Sequence, residues 1–291
     1  MRAWFVGGLL AFVLAAADVA PARADPPIWR VRDADTEMVL FGSIHTLPPG
    51  IEWRTAELDA ALDGADLVAF EILTPETEAE ELQMVLPYLR YLIAEEPLSE
   101  VVSAETFARV QAAAERQGYP VQMLDMMKPW AAALMLDMAA EEALGRTGDL
   151  GVDTVLETSL AAGRRKEALD TDALLLASIK ALSEAGDVEG EEMLIEVLDG
   201  LDDDELDLTL EHAWVAGDIK AIEAEMKDMK LEAPRLYQAL LVDRNHGWMP
   251  ALTRMMETEG RVVVVAGAAH MVGDDGLPAL LRAAGYEVEG P

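Results

Sequence analysis

Hydrophobic and polar positions divide the chain into an extended-pattern start, a long helical-pattern middle and an extended-pattern end. Residues 28–32 and 38–44 read as short strands around Asp33-Ala34-Asp35, which predicts a β-hairpin. A helix is expected over residues 53–62. After Gly64 comes a short, mostly apolar run, residues 66–72, that suits a buried strand ending at Glu71. Strand, helix and strand predict a βαβ unit.

Between Pro75 and Met256 the periodicity is helical. Segments 104–117, 130–144, 153–162 and 203–216 end on Gly118, Gly145, Gly163 and Gly217, residues that close a last helical turn without steric penalty. One interruption, Glu167-Ala168-Leu169, predicts a short strand returning to the sheet. Residues 261–266 hold four consecutive valines, poor in helices and typical of a strand covered on both faces. A helix over 276–284 and a last strand over 286–288 follow. The expected class is α/β: a mixed sheet built from both chain ends, flanked by helices, with a large all-helical middle insertion. Residues 25–74 and 257–291 then form the α/β core of one domain, 25–291, and 75–256 its mainly helical insertion.

The first 24 residues carry a different pattern. Arg2 precedes an almost continuous apolar stretch, residues 3–17, and Ala22-Arg23-Ala24 offers small residues for cleavage, so an export signal cut after Ala24 is expected. The stretch is shorter than the roughly 20 residues a spanning helix needs. Pro21, Pro26 and Pro27 follow it, and the longest later apolar run, 262–269, has strand length. The expected product is periplasmic or secreted, with no stable membrane insertion after cleavage.

Composition narrows the partners. Hydrophobic residues make up 52% of the 291, which suits a globular chain and not a disordered one. Against 55 acidic residues stand 22 basic ones, a net charge of −33 that repels phosphate backbones, so no nucleic acid is expected. Residues 184–232 alone carry 18 acids against three lysines, whereas 261–271 carry no acid. That acidity is either a solvated, self-repelling face or a field steering cationic peptides or ions toward a cleft. The run Asp202-Asp203-Asp204-Glu205 reads as an acidic helix start, since the sixth position of a calcium loop counted from Asp202 is Asp207 and not glycine. The absence of cysteine excludes disulfides, zinc-thiolate sites and cysteine nucleophiles. Subunit number is left open.

Four histidines remain for chemistry. Two recur in one context, strand then Gly-x-x-His: Gly42-Ser43-Ile44-His45 and Gly267-Ala268-Ala269-His270. In open α/β sheets the loops leaving the carboxyl ends of strands form the ligand crevice. Glu71 ends a third strand in a similar position. His45, Glu71 and His270 converging would make a three-ligand divalent metal site with open positions, suited to activating water; read singly, they are two loop histidines and a capping carboxylate. Arg244 suits a carboxylate or an oxyanion, or else a structural ion pair, and Asn245 a ligand or substrate carbonyl. His212 and His246 lie on predicted helices, so His246, although next to Asn245, need not join the site, and Ser43 is a poor nucleophile candidate because neighbours on one loop rarely have the geometry of a serine–base pair. No His-Glu-x-x-His, nucleophile elbow or P-loop is present.

These residues resemble the TraB/GumN family, related to the Tiki metalloproteases and more distantly to erythromycin-esterase and ChaN-like folds. The resemblance spans nearly all of residues 25–291. It rests on Trp29-Arg30-Val31, both Gly-x-x-His motifs, Glu71, Lys128-Pro129-Trp130, Gly151-Val152-Asp153, Gly217-Asp218, Arg244-Asn245, Gly276-Leu277 and Gly285-Tyr286. It implies an α/β fold made from the two termini, with both histidines and the strand-end glutamate as active site. From the Tiki relatives it implies divalent-metal-dependent peptide hydrolysis with Mn or Co; Zn fits the same donors. Leu169-Asp170-Thr171 and Asp243-Arg244-Asn245 depart from it, each carrying Asp where the pattern has Glu, which shortens the arm by one methylene. The expectation is an exported metal-dependent hydrolase of amide bonds, acting on a peptide or small molecule. The alternative is a non-catalytic module that binds a peptide, haem or polymer in the same cleft.

Overall fold

The computed structural model describes residues 24–75, 77–184, 186–201 and 208–291. The expected export signal, apart from Ala24, and the acidic run 202–207 lie outside the described residues, as does the first part of the helix expected over 203–216, whose described part is Thr209–Val215. Among the described residues no helix is long and apolar enough to cross a membrane.

Strands β1 (Ile28–Arg32) and β2 (Glu37–Ser43) form the predicted hairpin. The Asp33 carboxylate turns it, accepting from the backbone N–H groups of Asp35 and Thr36 at 3.1 and 2.8 Å. With β3 (Leu67–Phe70), β4 (Lys166–Ala168), β5 (Arg261–Gly267) and β6 (Glu287–Glu289) they make one sheet of order β4-β3-β5-β2-β1-β6. The first four of these are mutually parallel, and β1 runs antiparallel to β2 and to β6. The sheet is therefore mixed and comes mostly from the two chain ends. The middle adds β4 at one edge, where the interruption at 167–169 predicts it.

The two strands of the βαβ unit, β2 and β3, are not neighbours, because the late strand β5 lies between them. Burial explains the order. Runs that are apolar on both faces take the interior, and β1 and β6, with alternate residues turned to water, take the opposite edge. On β5, Val262, Val264 and Ala266 pack with Trp248, Leu252 and Met256 on one face, and Val263 and Val265 with Leu58, Leu62 and Trp214 on the other.

Helix α1 (Ala56–Gly64) begins after Thr55, whose hydroxyl accepts from Leu58 N–H, so it starts three residues later than the hydrophobic pattern suggests. Helices α2 (Ala104–Gln117) and α3 (Pro129–Ala143) hold a further core around Val110, Leu136, Leu194 and Leu198. Helix α4 (Val152–Ser159) stops short of the expected residue 162 because Leu160 turns extended. Helix α5 (Asp172–Ser183) is capped by Thr171. A π-helical turn, Gln238–Val242, runs into α6 (Asp243–Thr258), and α7 (Leu277–Ala283) precedes β6.

Candidate functional site

Four parallel strands end side by side, and each delivers a polar residue at its carboxyl end. Across the sheet from β4 to β2 these are Asp170, Glu71, His270 and His45. Helix α6 brings Arg244 and Asn245 to the same place, so all five residues expected to form a site are together. Nε2 of His45 and Nε2 of His270 each lie 3.6 Å from Oε1 of Glu71.

Each imidazole is held from behind through Nδ1. His45 Nδ1 is 2.7 Å from Oδ2 of Asp153, and the other oxygen of Asp153 accepts from the Ser43 hydroxyl at 2.6 Å. His270 Nδ1 is 2.7 Å from Oδ1 of Asn245, whose amide nitrogen donates to the carbonyls of Asp275 and His270 at 2.8 and 3.4 Å. Because that nitrogen is committed as a donor, Oδ1 must accept, which assigns the proton to Nδ1 and leaves the Nε2 lone pair facing Glu71. Asn245 is 1% exposed with both polar atoms engaged, so it orients His270 and does not reach a substrate carbonyl. Ser43 is likewise a holder of Asp153.

Arg244 binds carboxylates. It donates from Nη2 to Oε2 of Glu71 and, at 2.7 Å, to Asp170, and its Nη1 lies 3.3 Å from Nε2 of His270. Asp170 also accepts from the Trp248 indole at 2.7 Å, and the guanidinium lies over that ring. The shorter arm of Asp170 therefore still reaches Arg244. Asp243 instead is exposed and accepts from Gln238, away from the cluster. His212 and His246 are exposed on helices. Reading the sequence gave no role to Asp153 or Trp248; Trp248 stands four residues after Arg244, on the same helix face, which is the signal that could have found it.

Two glycines relieve crowding around the site, one of them decisively. A Cβ on Gly151 would lie 2.0 Å from the carbonyl oxygen of His45, so only glycine lets α4 start against that loop, where Val152 N–H donates to Ile44 at 2.9 Å. A Cβ on Gly267 would lie 3.2 Å from both Oε1 of Glu71 and Nε2 of His45. Without it, Gly267 N–H donates to Oε1 of Glu71 at 2.6 Å.

The surroundings separate the charges. For His45, the hydrogen bond to Asp153, together with the negative charge of Asp153 and Glu71, raises the imidazole to about 9. Burial works to raise Glu71, but His270, Arg244, His45 and the Gly267 N–H bring it down to about 2. Burial, joined by the charges of Arg244 and His45, lowers His270 to about 4 against the pull of Glu71.

Three donors bound to one ion at about 2.1 Å in a tetrahedron stand roughly 3.4 Å apart. The His45–Glu71 and His270–Glu71 separations match that, and the donors are the nitrogen and oxygen types that bind divalent ions. Among the described residues no three such side chains form a ready-made ion cage; the guanidinium of Arg244 contacts Nε2 of His270 and the other oxygen of Glu71, Oε2. The cluster opens into a cleft of about 410 Å³ whose lining combines His45, Glu71, Asp153 and Arg244 with apolar side chains such as Ile72, Leu175 and Leu240.

A family model described as the TraB/PrgY/gumN family matches residues 27–290. No curated protein and no solved structure matches the chain.

Proposed function

The chain belongs to the TraB/PrgY/gumN family, and on that premise we propose that it is an exported, metal-dependent hydrolase of amide bonds in which His45, Glu71 and His270 hold one divalent ion, Mn, Co or Zn. One observation carries the reading: two imidazoles on neighbouring parallel strands, each tethered through Nδ1, present Nε2 to the same carboxylate oxygen at 3.6 Å. A backing acceptor on each imidazole is the arrangement that orients metal ligands and sharpens their basicity. When bound, a divalent ion supplies polarisation of a substrate carbonyl and activation of water.

The chain's own residues supply the rest. Asp153 and Asn245 set the direction of the two rings. Arg244 lines the cleft and balances the charges of Glu71 and Asp170. Gly267 keeps the space between Glu71 and His45 free of a side chain.

Calorimetry with Mn, Co and Zn, beside hydrolysis of peptide and ester libraries with and without chelator, tests this. One ion per chain is expected, with binding lost in His45→Ala and His270→Ala and turnover abolished by chelator. Absence of ion binding with chelator-insensitive turnover overturns it. Such a result would favour the second reading that the Arg244 contacts support, a metal-free hydrolase in which the guanidinium is the resident cation and a histidine the general base.

A further inference from the structure

We propose that the helical wall of the cleft is a preformed subsite for an uncharged apolar group, an aliphatic or aromatic side chain flanking the bond to be cleaved. The inference rests on the hydrolase reading above and adds the substrate class.

The cleft lining is of two kinds. His45, Glu71, Asp153 and Arg244 form one mutually contacting charged cluster; Leu73, Leu175, Ile179 and Leu240, joined by Ile72, the residue directly after Glu71, are apolar. Ile72 is 41% exposed, an apolar side chain held in water beside Glu71. Leu175 and Ile179 stand four residues apart and so share a face of α5. Leu240 lies in the π-helical turn, a feature that recurs at functional positions because it turns a side chain out of the regular helical path.

The apolar wall is braced. The Ser178 hydroxyl, 5% exposed, donates to the carbonyl of Ala239 at 2.9 Å, tying α5 to the π-turn between Ile179 and Leu240. Arg244 Nη1 reaches the carbonyl of Leu240 at 3.4 Å, linking the same turn to the charged cluster. A subsite built on cross-linked elements is organised before its ligand arrives. All the charged lining residues belong to that one cluster, so a charged substrate group set against the apolar side chains would be desolvated beside groups that cannot pair with it, whereas an apolar group would cover side chains now in contact with water. The volume, about 410 Å³, lies in the range of small-molecule pockets.

The test uses binding, so it does not depend on turnover. N-acetyl amides of leucine, phenylalanine, lysine and glutamate are titrated into the full protein while methyl resonances of Leu175, Ile179 and Leu240 are followed by NMR. The leucine and phenylalanine amides are expected to shift those methyls and to bind at least tenfold tighter than the charged pair. Leu240→Trp, which fills the subsite, should weaken the phenylalanine amide at least tenfold; should that variant not fold, Leu175→Ala, which enlarges it, should move preference from leucine to phenylalanine. Equal binding of charged and apolar amides, or shifts confined to other methyls, overturns the subsite. Apolar selectivity in a protein that hydrolyses nothing retains the subsite and overturns only the hydrolase reading.

Discussion

The loops after β2 and β5 carry the same Gly-x-x-His motif on neighbouring parallel strands and hold their histidines in opposite states. The side chain of His45 is 60% exposed, backed by a carboxylate and raised to about 9; that of His270 is 4% exposed, backed by a neutral amide and lowered to about 4. The strand end sets where each imidazole stands, and the residue behind Nδ1, with the depth of burial, sets its charge. One motif thus delivers a cationic, water-facing ring and a neutral, enclosed one around a single ionised glutamate.

The strongest way to break this contrast is on the buried side. Arg244→Met leaves Glu71 and Asp170 enclosed without their cation, and breaking such a pair costs about 3–5 kcal/mol, read as a shift of the urea unfolding curve. A change under about 1 kcal/mol would show that the carboxylates do not depend on the guanidinium.

Titration should separate the two rings next. With chelator present, imidazole resonances are expected to move near pH 9 for His45 and near pH 4 for His270. The folded value of His270 lies below its ordinary 6.5, so its share of stability, on the order of 3 kcal/mol, is full above about pH 6.5 and is lost as pH falls toward 4. His45 has the opposite sign: its share is full below about 6.5 and is lost as pH rises through about 9, and exposure to water keeps it small. Two rings titrating together near 6.5 would erase the contrast.

The backing residues give smaller and unequal effects. Asn245→Ala strands buried groups and should destabilise by about 1–3 kcal/mol, whereas Asp153→Asn, serving the exposed ring, should cost under about 1 kcal/mol while bringing the His45 titration down. If the site holds an ion, either change should weaken its binding by roughly 10–100-fold in calorimetry. Asp243→Ala, outside the cluster, should stay within about 0.5 kcal/mol of the parent in the same urea measurement.

Much of the fold was legible from local pattern. The valine run, the Asp33 turn and Gly118 announce β5, the hairpin and the end of α2 because each acts within a few residues. The order of the strands was not, since nothing near β2 or β3 indicates that β5 will part them. The repeated motif, the strand-end glutamate and Arg244-Asn245 marked the residues the fold gathers. What stayed hidden was who holds whom. The His45–Asp153 contact spans 108 residues and the Arg244–Asp170 contact 74, and an aspartate that backs an imidazole looks in sequence like any acid in an acidic chain.

The place of β5 also has a bearing on how the molecule comes into being. The bond from Gly267 to Glu71 joins residues 196 apart, so closing it carries a large loop entropy and a slow, non-local step. While the chain grows, β2 and β3 have no strand between them, Glu71 lacks its backbone donor, and His270 does not yet exist. The cluster is complete only once one of the last strands is made, so an unfinished or still-extended chain lacks it.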